Sequence, residues 1–379
     1  MKKRLLFFTN SLYGGGAEKV LQTLLSNLDL NKYDITLYSV NEGVLNDSYP
    51  KGINYKYIFK QNSTSFLSRL WAKISNKFKL AIYYKFSPRT FYRLFVKGKY
   101  DTEIAFIEGY STRIVSGSNN KNSKKLAWIH TDLKNNHWTD IAYRTTSEED
   151  FSYKKFDLIV CVSDAIKSIT KKLYDNNSII TKYNPIEDNY IKQFSRNIKQ
   201  DNLNFSSPIK LISVGRLTPE KGYDRLLPIV KRLIDDGHNI TLTILGEGND
   251  RFFLEKYIKD NNLTDFILLP GFLANPYLEM SQHDIFVCSS RAEGFSLVIA
   301  EAMIVGLPVI STNCNGPNEL LNYGEYGILT KNDDEALYIG LKQLLNYPTN
   351  IEIYTQKAIE RGKYFSLKNQ ISEIEKIKA

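Results

Sequence analysis

Residues 284–312 read "DIFVCSSRAEGFSLVIAEAMIVGLPVIST", and this stretch decides the fold. Its first apolar run, "DIFVCSS", predicts a buried strand, and "LPVIST" at the other end predicts a second one. Between them, "LVIAEAMIVG" has the length and composition of a helix. A strand, a helix and a strand in this order predict two parallel strands of a sheet that helices cover on both faces.

The same alternation extends through the rest of the chain in both directions. The predicted strands outside the quoted stretch are "RLLFFTN", "YDITLYSV", "YDTEIAFI", "KKLAWIH", "FDLIVCVS", "IKLISVG", "ITLTILGEG" and "FILLPG". In the segment after the first of them, the apolar residues Val20, Leu21, Leu24, Leu25 and Leu28 share one helical face. We therefore expect an α/β protein with two doubly wound Rossmann-like domains that face each other across a cleft.

The helical pattern lapses near "KYNPIEDNY" and "KQDNLNFSSP", where Pro, Asn and Ser accumulate. This predicts a first domain over residues 1–187 and a second over residues 188–363. The remaining residues, 364–379, follow the second domain.

Charge is distributed unevenly along the 379 residues, whose net charge is +9. Residues 1–183 carry 29 Lys and Arg against 16 Asp and Glu, whereas residues 184–379 carry 21 against 25. This asymmetry predicts an anionic partner for the first half, either a membrane surface, a nucleic acid or a phosphorylated substrate. No apolar run reaches the ~20 residues of a membrane-spanning helix, and neither a signal peptide nor a disulfide pattern is recognisable, so we expect a cytoplasmic protein.

In open parallel sheets, ligands bind beyond the carboxyl ends of the strands, so the residues that follow the strands are the site candidates. After the first strand, "SLYGGGAEKV" places Gly14, Gly15 and Gly16 at the start of a helix, where a backbone can approach a phosphate closely. Lys19 stands where the dinucleotide fingerprint requires its third glycine. The alternative is a tight strand-to-helix turn without a ligand.

Two cations, Arg216 and Lys221, follow the strand "IKLISVG" on the loop that enters the next helix. A pair of cations at such a position suits a diphosphate. Solvated surface charge is the alternative for this segment taken alone.

The quoted stretch contains two carboxylates, Glu293 in the loop and Glu301 inside the helix, and Ser296 between them is a candidate N-cap. Eight residues at 1.5 Å each would separate the two by about 12 Å if all were helical, roughly the length of a ribose, a diphosphate and a hexose. Each carboxylate can accept sugar hydroxyls, and the helix N-terminus between them favours phosphate. An ordinary loop acid and an ordinary helix acid are the alternative.

The motifs "GRLTPEKG", "LGEG", "LPGF", "EGFSLVIAE", "AMIVGLPVIST" and "GPNEL", in this order, resemble those of the retaining glycosyltransferases of family 4. The N-terminal "GGGAEKV" and "WIHTDL" are also similar to that family. The resemblance implies the GT-B fold, in which the C-terminal helix, here residues 364–379, crosses back to the first domain.

The resemblance also implies roles for individual residues. Glu301 would bind the ribose hydroxyls, Glu293 the donor sugar, and Arg216 and Lys221 the diphosphate. His130 matches a family histidine near the donor sugar, although a lone histidine at a strand end is more often structural. The other implied contacts are Gly271, Phe272 and Leu273 with the base, Phe295, Ser296 and Leu297 with the sugar and phosphate, and Gly15 and Gly16 with phosphates or the acceptor.

The activity that the resemblance implies is retaining, metal-independent hexosyl transfer from a UDP-sugar, without a cofactor. No carboxylate is clearly placed as a covalent nucleophile, and the acids of "YDTEIAF" read as incidental to a strand. The expected acceptor is a lipid-linked or oligosaccharide saccharide of a capsule, exopolysaccharide or lipopolysaccharide, at the inner face of a bacterial cell membrane.

The sequence disfavours three other functions and leaves a fourth open. The broken glycine fingerprint disfavours a dehydrogenase, the ordered motifs do not resemble a hydrolysing nucleotide-sugar epimerase, and no nucleic-acid-binding module is present. A non-catalytic partner subunit that only binds the donor remains the alternative.

The stretch from Ser48 to Tyr100 has no acid and twelve Lys and Arg. Within it, Leu67, Leu70, Trp71, Ile74, Phe78 and Ala81 recur at helical spacing, and Arg69, Lys73 and Lys77 lie on another face. We expect residues 60–99 to contact an anionic membrane surface. The alternative is a helix that packs its apolar face on its own domain.

Overall fold

The computed structural model describes residues 2–12, 15–43, 49–60, 66–176, 178–194 and 208–377, with backbone only at 66–69 and 348. The chain forms two compact units. Unit 1 comprises Met1–Pro185 and Gln370–Ala379, and unit 2 comprises Ile186–Asn369.

Unit 1 is built on a seven-stranded sheet in which every pair of neighbouring strands is parallel. Its strands, in chain order, are β1 (Lys3–Thr9), β2 (Tyr33–Asn41), β3 (Asn54–Phe59), β4 (Thr102–Ala105), β5 (Lys124–Ile129), β6 (Leu158–Cys161) and β7 (Ile179–Thr181). Their order across the sheet is β3-β2-β1-β4-β5-β6-β7. The order reverses between β1 and β4, so the loops after these two strands diverge and leave a crevice at that edge.

Helices follow most of these strands. They are α1 (Gly16–Asn27), α2 (Phe66–Lys85), α3 (Pro88–Phe95), α4 (Tyr110–Ser116), α5 (Thr146–Tyr153) and α6 (Asp164–Leu173), with a 3₁₀ turn at Trp138–Ala142. The predicted apolar face of α1 is confirmed, because all five of its residues are buried. The inner strands read as continuous apolar runs because both faces of a parallel sheet are covered.

Unit 2 repeats the design with six parallel strands in the order β10-β9-β8-β11-β12-β13. These strands are β8 (Ile209–Val214), β9 (Ile240–Leu245), β10 (Ile267–Gly271), β11 (Ile285–Cys288), β12 (Val309–Thr312) and β13 (Ile328–Thr330). The helices numbered in chain order are α7 (Asp188–Lys192), α8 (Tyr223–Asp235), α9 (Arg251–Asp260), α10 (Tyr277–Ser281), α11 (Leu297–Val305), α12 (Asn315–Leu320), α13 (Asp334–Asn346), α14 (Pro348–Tyr364) and α15 (Leu367–Glu375). Two 3₁₀ turns lie at Pro219–Lys221 and Asn322–Gly324.

The C-terminal helix returns to unit 1, as predicted. Helix α15 begins in unit 2, but its residues from Gln370 onwards belong to unit 1. Within unit 1, Lys182 Nζ lies 2.9 Å from Glu373 Oε2. The two doubly wound sheets and this helix together give the predicted α/β architecture.

Helix α2 is fixed to unit 1 through polar contacts on its inner face. Asn76 Nδ2 donates to the Lys60 carbonyl at 2.6 Å, and Lys79 Nζ donates to the Ile58 carbonyl at 2.6 Å. Near the end of the helix, buried Tyr83 donates its hydroxyl to the Ala142 carbonyl at 2.7 Å. The face of α2 that contacts the protein is therefore largely polar along residues 76–79.

A buried arginine joins the end of α2 to α4 and α5. Arg113 is fully buried, and its Nη1 donates to the Tyr83 carbonyl at 2.7 Å, while its Nη2 lies 3.1 Å from Glu148 Oε1. Burial by itself would raise the pKa of Glu148, but its bonds from Arg144 and Arg113 lower it to about 2. Arg113 and Glu148 therefore form a charge-assisted contact between α4 and α5, at the point where both helices meet the end of α2.

Replacing Glu148 with Gln should lower the free energy of unfolding of unit 1 by about 3 kcal/mol at pH 7, because Arg113 would keep a buried charge without its partner. Glu148 has a lowered pKa in the folded state, so its contribution is complete above the unfolded pKa and is lost as pH falls towards 2. E148Q should therefore lose less stability than the wild type between about pH 5 and pH 2.

Urea unfolding followed by tryptophan fluorescence measures this, since all three tryptophans, Trp71, Trp128 and Trp138, lie in unit 1. Asp150→Asn is the matched control in the same helix. Its pair with Lys154 is exposed, so the change should stay within about 1 kcal/mol. Equal losses in the two variants would contradict the assigned role of Glu148.

Candidate functional site

The strand order of unit 2 reverses between β8 and β11, which are hydrogen-bonded neighbours. At such a reversal the loops after the two strands turn in opposite directions and leave a crevice at the carboxyl edge. The loop after β8 carries Arg216 and Lys221, and the loop after β11 carries Glu293. The structure thus gathers the predicted cations and the first predicted carboxylate at one edge of one sheet.

Lys221 and Glu293 form an ion pair at this edge. Lys221 Nζ lies 2.5 Å from Glu293 Oε1, with side chains 18% and 11% exposed, and Ser290 Oγ donates to the same carboxylate oxygen at 2.9 Å. Although burial alone would lower the pKa of Lys221, the Glu293 carboxylate raises it above its usual value. Lys221 is therefore a firmly protonated cation beside a carboxylate whose geometry is fixed by two donors.

The backbone around the pair is fixed by a close approach of two loops. Gly222 has φ +67°, and a Cβ there would lie 2.3 Å from the Ser289 carbonyl oxygen. Arg225 is buried and donates through Nε and Nη2 to Ser289 O at 2.9 and 2.5 Å, and through Nη2 to Ser290 O at 2.9 Å. Only glycine allows this approach, and the guanidinium satisfies the carbonyls at the end of β11.

Arg216, the second predicted cation, is exposed at the start of the same loop. Its guanidinium makes no ion pair or hydrogen bond with the residues that the structure describes. Arg291, which begins the quoted stretch of loop, is instead paired with Asp224 at 2.7 and 2.8 Å and donates to the Pro219 carbonyl. The two arginines thus differ, because Arg291 ties the loops together and Arg216 faces solvent.

The entry into α11 differs from the prediction at Ser296. This residue precedes the helix, but it has φ 61° and ψ 72° and makes no capping hydrogen bond. Its buried Oγ has no hydrogen-bond partner among the described residues. The prediction of a Ser296 cap is therefore wrong, because the left-handed backbone turns its side chain away from the helix N–H groups.

Phe295 and Leu297 flank this turn, and a neighbouring helix holds it in place. Phe295 is buried, Leu297 is half-buried, and Gly316 N donates to the Glu293 carbonyl at 3.1 Å. A Cβ at Gly316 would lie 2.8 Å from the Phe295 carbonyl carbon. Gly316, in the motif "GPNEL", is thus a packing requirement for the loop that carries Glu293.

Glu301 lies inside α11 and is buried. The Tyr277 hydroxyl donates to Glu301 Oε1 at 3.2 Å, and the ring of Tyr277 packs edge-on against Tyr190 at 6.0 Å. As predicted, Glu293 lies in the loop and the helix begins after Ser296. Only Leu297–Glu301 of the stretch between the two glutamates is helical, so the condition of the earlier distance estimate is not met.

The predicted base-contacting turn follows β10. Gly271 has φ +98°, and a Cβ there would lie 2.8 Å from Glu247 Oε1. Phe272 and Leu273 are exposed. Since β9 lies between β10 and β8, this turn is two strands away from the Lys221–Glu293 pair on the same sheet.

In unit 1, the predicted glycine loop lies beside a carboxylate of its own helix. Gly14 lies outside the described residues, Gly15 is the N-cap of α1, and Gly16 is its first residue. A Cβ on Gly15 would lie 2.2 Å from Glu18 Oε2, and Ser11 Oγ donates to Glu18 Oε1 at 3.0 Å. Glu18 is the third residue of the helix, the position from which a glutamate can reach back towards the helix start.

His130 directly follows β5 and is half-buried. Its Nε2 lies 2.8 Å from the Phe106 carbonyl oxygen. A carbonyl can only accept, which assigns the proton to Nε2 and leaves the lone pair on Nδ1. Burial lowers the pKa of His130, partly opposed by the Glu108 carboxylate, so the imidazole is neutral near pH 7.

The sequence interpretation missed four residues that fix these positions: Arg225, Tyr277, Gly316 and Glu108. Of these, Glu108 stood at the end of a predicted strand, where the rule that ligands bind at carboxyl ends would have found it. The other three act through contacts between distant segments. Among the described residues no three His, Cys, Asp or Glu side chains are grouped as metal ligands would be.

A family model described as glycosyl transferases group 1 matches residues 194–363. A Campylobacter jejuni protein named N-acetylgalactosamine-N,N'-diacetylbacillosaminyl-diphospho-undecaprenol 4-alpha-N-acetylgalactosaminyltransferase is 31% identical over 374 residues, which is 96% of each chain. The amylovoran biosynthesis glycosyltransferase AmsD of Erwinia amylovora is 25% identical over 355 residues, covering 91% of this chain and 90% of that one.

The fold also matches a solved structure. Anabaena Alr3699/HepE, determined in complex with UDP and glucose, superposes with a TM-score of 0.74 at 18% identity over 98% of both chains. Full-length similarity to the C. jejuni transferase at 31% identity, together with the two parallel sheets, establishes the family. The chain is a glycosyltransferase of group 1, similar to family 4, and it has the GT-B fold.

Proposed function

We propose that this glycosyltransferase moves a hexose or N-acetylhexosamine from a UDP-sugar to a lipid-linked or oligosaccharide acceptor in bacterial surface polysaccharide synthesis. The observation that carries the donor part is the Lys221–Glu293 pair at the β8/β11 crevice, with exposed Arg216 on the same loop. A diphosphate can take the cation of this pair while sugar hydroxyls take the carboxylate, so one ligand replaces both partners.

The reaction is transfer with retention of configuration and without a metal. When the anomeric bond breaks, negative charge develops on the departing diphosphate. Lys221, Arg216 and the N-terminus of α11 stabilise that charge, as preorganised donors do. The acceptor hydroxyl attacks from the face that the diphosphate leaves. Its oxygen bonds to the anomeric carbon as the bond to the diphosphate breaks, and its proton passes to the departing diphosphate oxygen.

The names of two relatives support the proposed acceptor class. The C. jejuni relative is named for a saccharide on diphospho-undecaprenol, and AmsD for amylovoran biosynthesis. A polyprenyl-diphosphate-linked saccharide is therefore the proposed acceptor, and an N-acetylhexosamine is the first donor sugar to test.

Helix α2 supports a membrane-facing role, because its exposed face is the apolar one. Trp71 and Phe78 are 70% and 67% exposed, Leu70 and Ile74 are also exposed, and the inner face is held by Asn76 and Lys79 through the hydrogen bonds described above. The alternative, in which this apolar face packs on its own unit, does not hold for these residues. Because water-exposed apolar residues beside lysines suit an anionic bilayer, we assign α2 to the inner face of the cell membrane. No helix in the described ranges is long and apolar enough to cross a bilayer.

A panel of UDP-, GDP- and dTDP-sugars in a thermal-shift assay tests the donor, and product release with a polyprenyl-diphosphate-linked acceptor tests transfer. Retention is read from the anomeric coupling constant of the product, and metal independence from turnover in EDTA. Donor binding without turnover on any acceptor would favour the alternative, a non-catalytic donor-binding partner subunit.

Lys221→Ala and Arg216→Ala should each weaken UDP binding by about 10- to 150-fold, the equivalent of a lost charge-assisted contact of about 1.5–3 kcal/mol. Calorimetric titration with UDP measures this. Arg216→Ala tests the effect of the positive charge without breaking an ion pair, since this side chain has no ion-pair partner among the described residues. Lys256→Ala, on exposed α9, is the control and should leave the affinity unchanged. Wild-type affinity in both site variants would refute the assignment.

Glu301→Gln should weaken the binding of UDP as well as that of the intact donor, because the ribose that Glu301 is proposed to contact is part of the nucleotide. Glu293→Gln should instead spare or tighten UDP binding, since it removes a negative charge beside Lys221, while lowering kcat for transfer by at least about tenfold. Titration with UDP and with the intact donor separates the two, and Glu255→Gln on α9 controls for lost surface charge. The reverse pattern would place the donor in the opposite direction.

Wild-type protein should sediment with vesicles that contain anionic lipid and dissociate at high salt. Trp71→Ser with Phe78→Ser should abolish this, whereas Phe252→Ser with Phe253→Ser, an equally exposed apolar pair on α9, should not. Replacing Lys73 and Lys77 with Gln, together with Arg69, whose side chain lies outside the described residues, should weaken binding. Transfer to a short soluble acceptor should survive. Indifference of the wild type to anionic vesicles at low salt would remove the membrane assignment.

A further inference from the structure

Glu108 is a fully buried carboxylate at the carboxyl edge of the unit 1 sheet. It follows β4, at the point where the strand order reverses between β4 and β1. No ion pair to Lys, Arg or His involves it among the described residues. Burying a carboxylate without a cation is costly, and such groups are retained mainly where a site needs them.

Glu108 joins three loops at this edge. Its Oε1 accepts from Thr131 Oγ1 at 2.5 Å, and its Oε2 accepts from the His130 backbone N–H at 3.2 Å. Its backbone carbonyl accepts from Asn10 Nδ2 at 3.0 Å, and Asn10 Oδ1 in turn accepts from Ser111. The loops after β1, β4 and β5 are therefore fixed relative to one another through Asn10 and Glu108.

Both carboxylate oxygens of Glu108 face hydrogen-bond donors, so both positions need an acceptor. Trp138 Nε1 donates to Thr131 Oγ1 at 3.2 Å, so the Thr131 hydroxyl hydrogen is directed to Glu108. The backbone N–H of His130 can only donate. A carboxylate can accept hydrogen bonds at both oxygens. A glutamine at this position would have one oxygen and one NH2 group, so its NH2 group would face a donor.

These contacts converge on His130. Its ring is held by the Phe106 carbonyl at 2.8 Å and by the ring of Phe106, with centroids 5.1 Å apart. Its backbone is held by Glu108. The Nε2 nitrogen is thus hydrogen-bonded to the Phe106 carbonyl. The direction of Nδ1 is fixed by the contacts of the ring with Phe106 and by the contact of the backbone with Glu108.

We propose that Glu108 is the positioning residue for His130, which it holds through the His130 N–H and the Thr131 hydroxyl so that Nδ1 keeps one orientation during transfer. The inference rests on the proposed function for the role of His130 in transfer, but the positioning itself is a property of the fold. A displacement of a reacting group by about 1 Å can reduce turnover about 100-fold.

The test compares Glu108→Gln with Glu149→Gln. Glu149 is the matched control, a buried carboxylate of the same unit that accepts from His137 Nε2, Thr139 Oγ1 and the Tyr174 hydroxyl at 2.8, 2.8 and 3.0 Å. Both variants should lose stability, but only Glu108→Gln should lower kcat, by about 10- to 100-fold, with the donor KM within about twofold. Thr131→Val removes one of the two contacts and should have a smaller effect in the same direction.

A second measurement does not depend on turnover. The chain has four histidines, so ¹⁵N-histidine NMR of the full chain resolves their rings, with His130 assigned from the signal missing in His130→Gln. The wild type should show one Nε2–H form of His130, and this signal should broaden or split in Glu108→Gln but not in Glu149→Gln.

The outcomes distinguish the positioning of His130 by Glu108 from the proposed function in sugar transfer. An unchanged His130 signal and kcat in folded Glu108→Gln would overturn the positioning role, as would equal effects of the two variants. A broadened His130 signal in a protein that transfers no sugar to any acceptor would uphold the positioning and count against the proposed function instead.

Discussion

The site in unit 2 depends on the contact between Arg225 and the carbonyls at the end of β11. The guanidinium bonds Ser289 O and Ser290 O, and Gly222 comes close enough to Ser289 that no side chain fits. These contacts bring the loop after β8 against the loop after β11. Lys221 and Glu293 meet at 2.5 Å because their backbones are held there, and the ion pair is a consequence of that approach.

Buried charge recurs at the points where both units are fixed. Arg113 joins three helices, Glu108 joins three loops, and Arg225 joins two loops, and all three are buried. Each is costly to remove from water, and each is compensated by groups from distant parts of the sequence. Loops cannot be fixed by apolar packing alone, since their backbone groups need hydrogen-bond partners, which long, charged side chains can supply.

Helix α2 reverses the usual arrangement of a surface helix. Asn76 and Lys79 bind the backbone of the unit, and the apolar residues Leu70, Trp71, Ile74 and Phe78 are exposed, whereas Ile82 and Tyr83 near the end of the helix are buried. An exposed apolar face of this kind supports the proposed contact with a surface less polar than water. The basic excess of the first half of the chain, which includes Lys73 and Lys77 on this helix, is consistent with an anionic lipid surface.

The sequence by itself determined the two parallel sheets, the strand ends that carry the candidate residues, and the family resemblance. These follow from local patterns, because apolar runs and helical periodicity report the burial of each element directly. Strands β3, β7 and β13 were not predicted, since they are short or polar strands, and two of them form the edges of the first sheet and one an edge of the second.

Only the tertiary structure decided which face of α2 lies outward, how Ser296 turns, and which side chains hold the site. The spacing of Trp71, Ile74 and Phe78 defines a face but not its direction, because direction depends on contacts with Lys60 and Ile58 elsewhere in the chain. The role of Arg225 was likewise not visible in the sequence, since it acts on the Ser289 carbonyl 64 residues away, whereas the position of Glu108 after a predicted strand made it a possible candidate. Periodicity shows which residues lie on the same face of a helix. Hydrogen bonds between distant segments determine whether that face contacts the rest of the protein or lies at the surface.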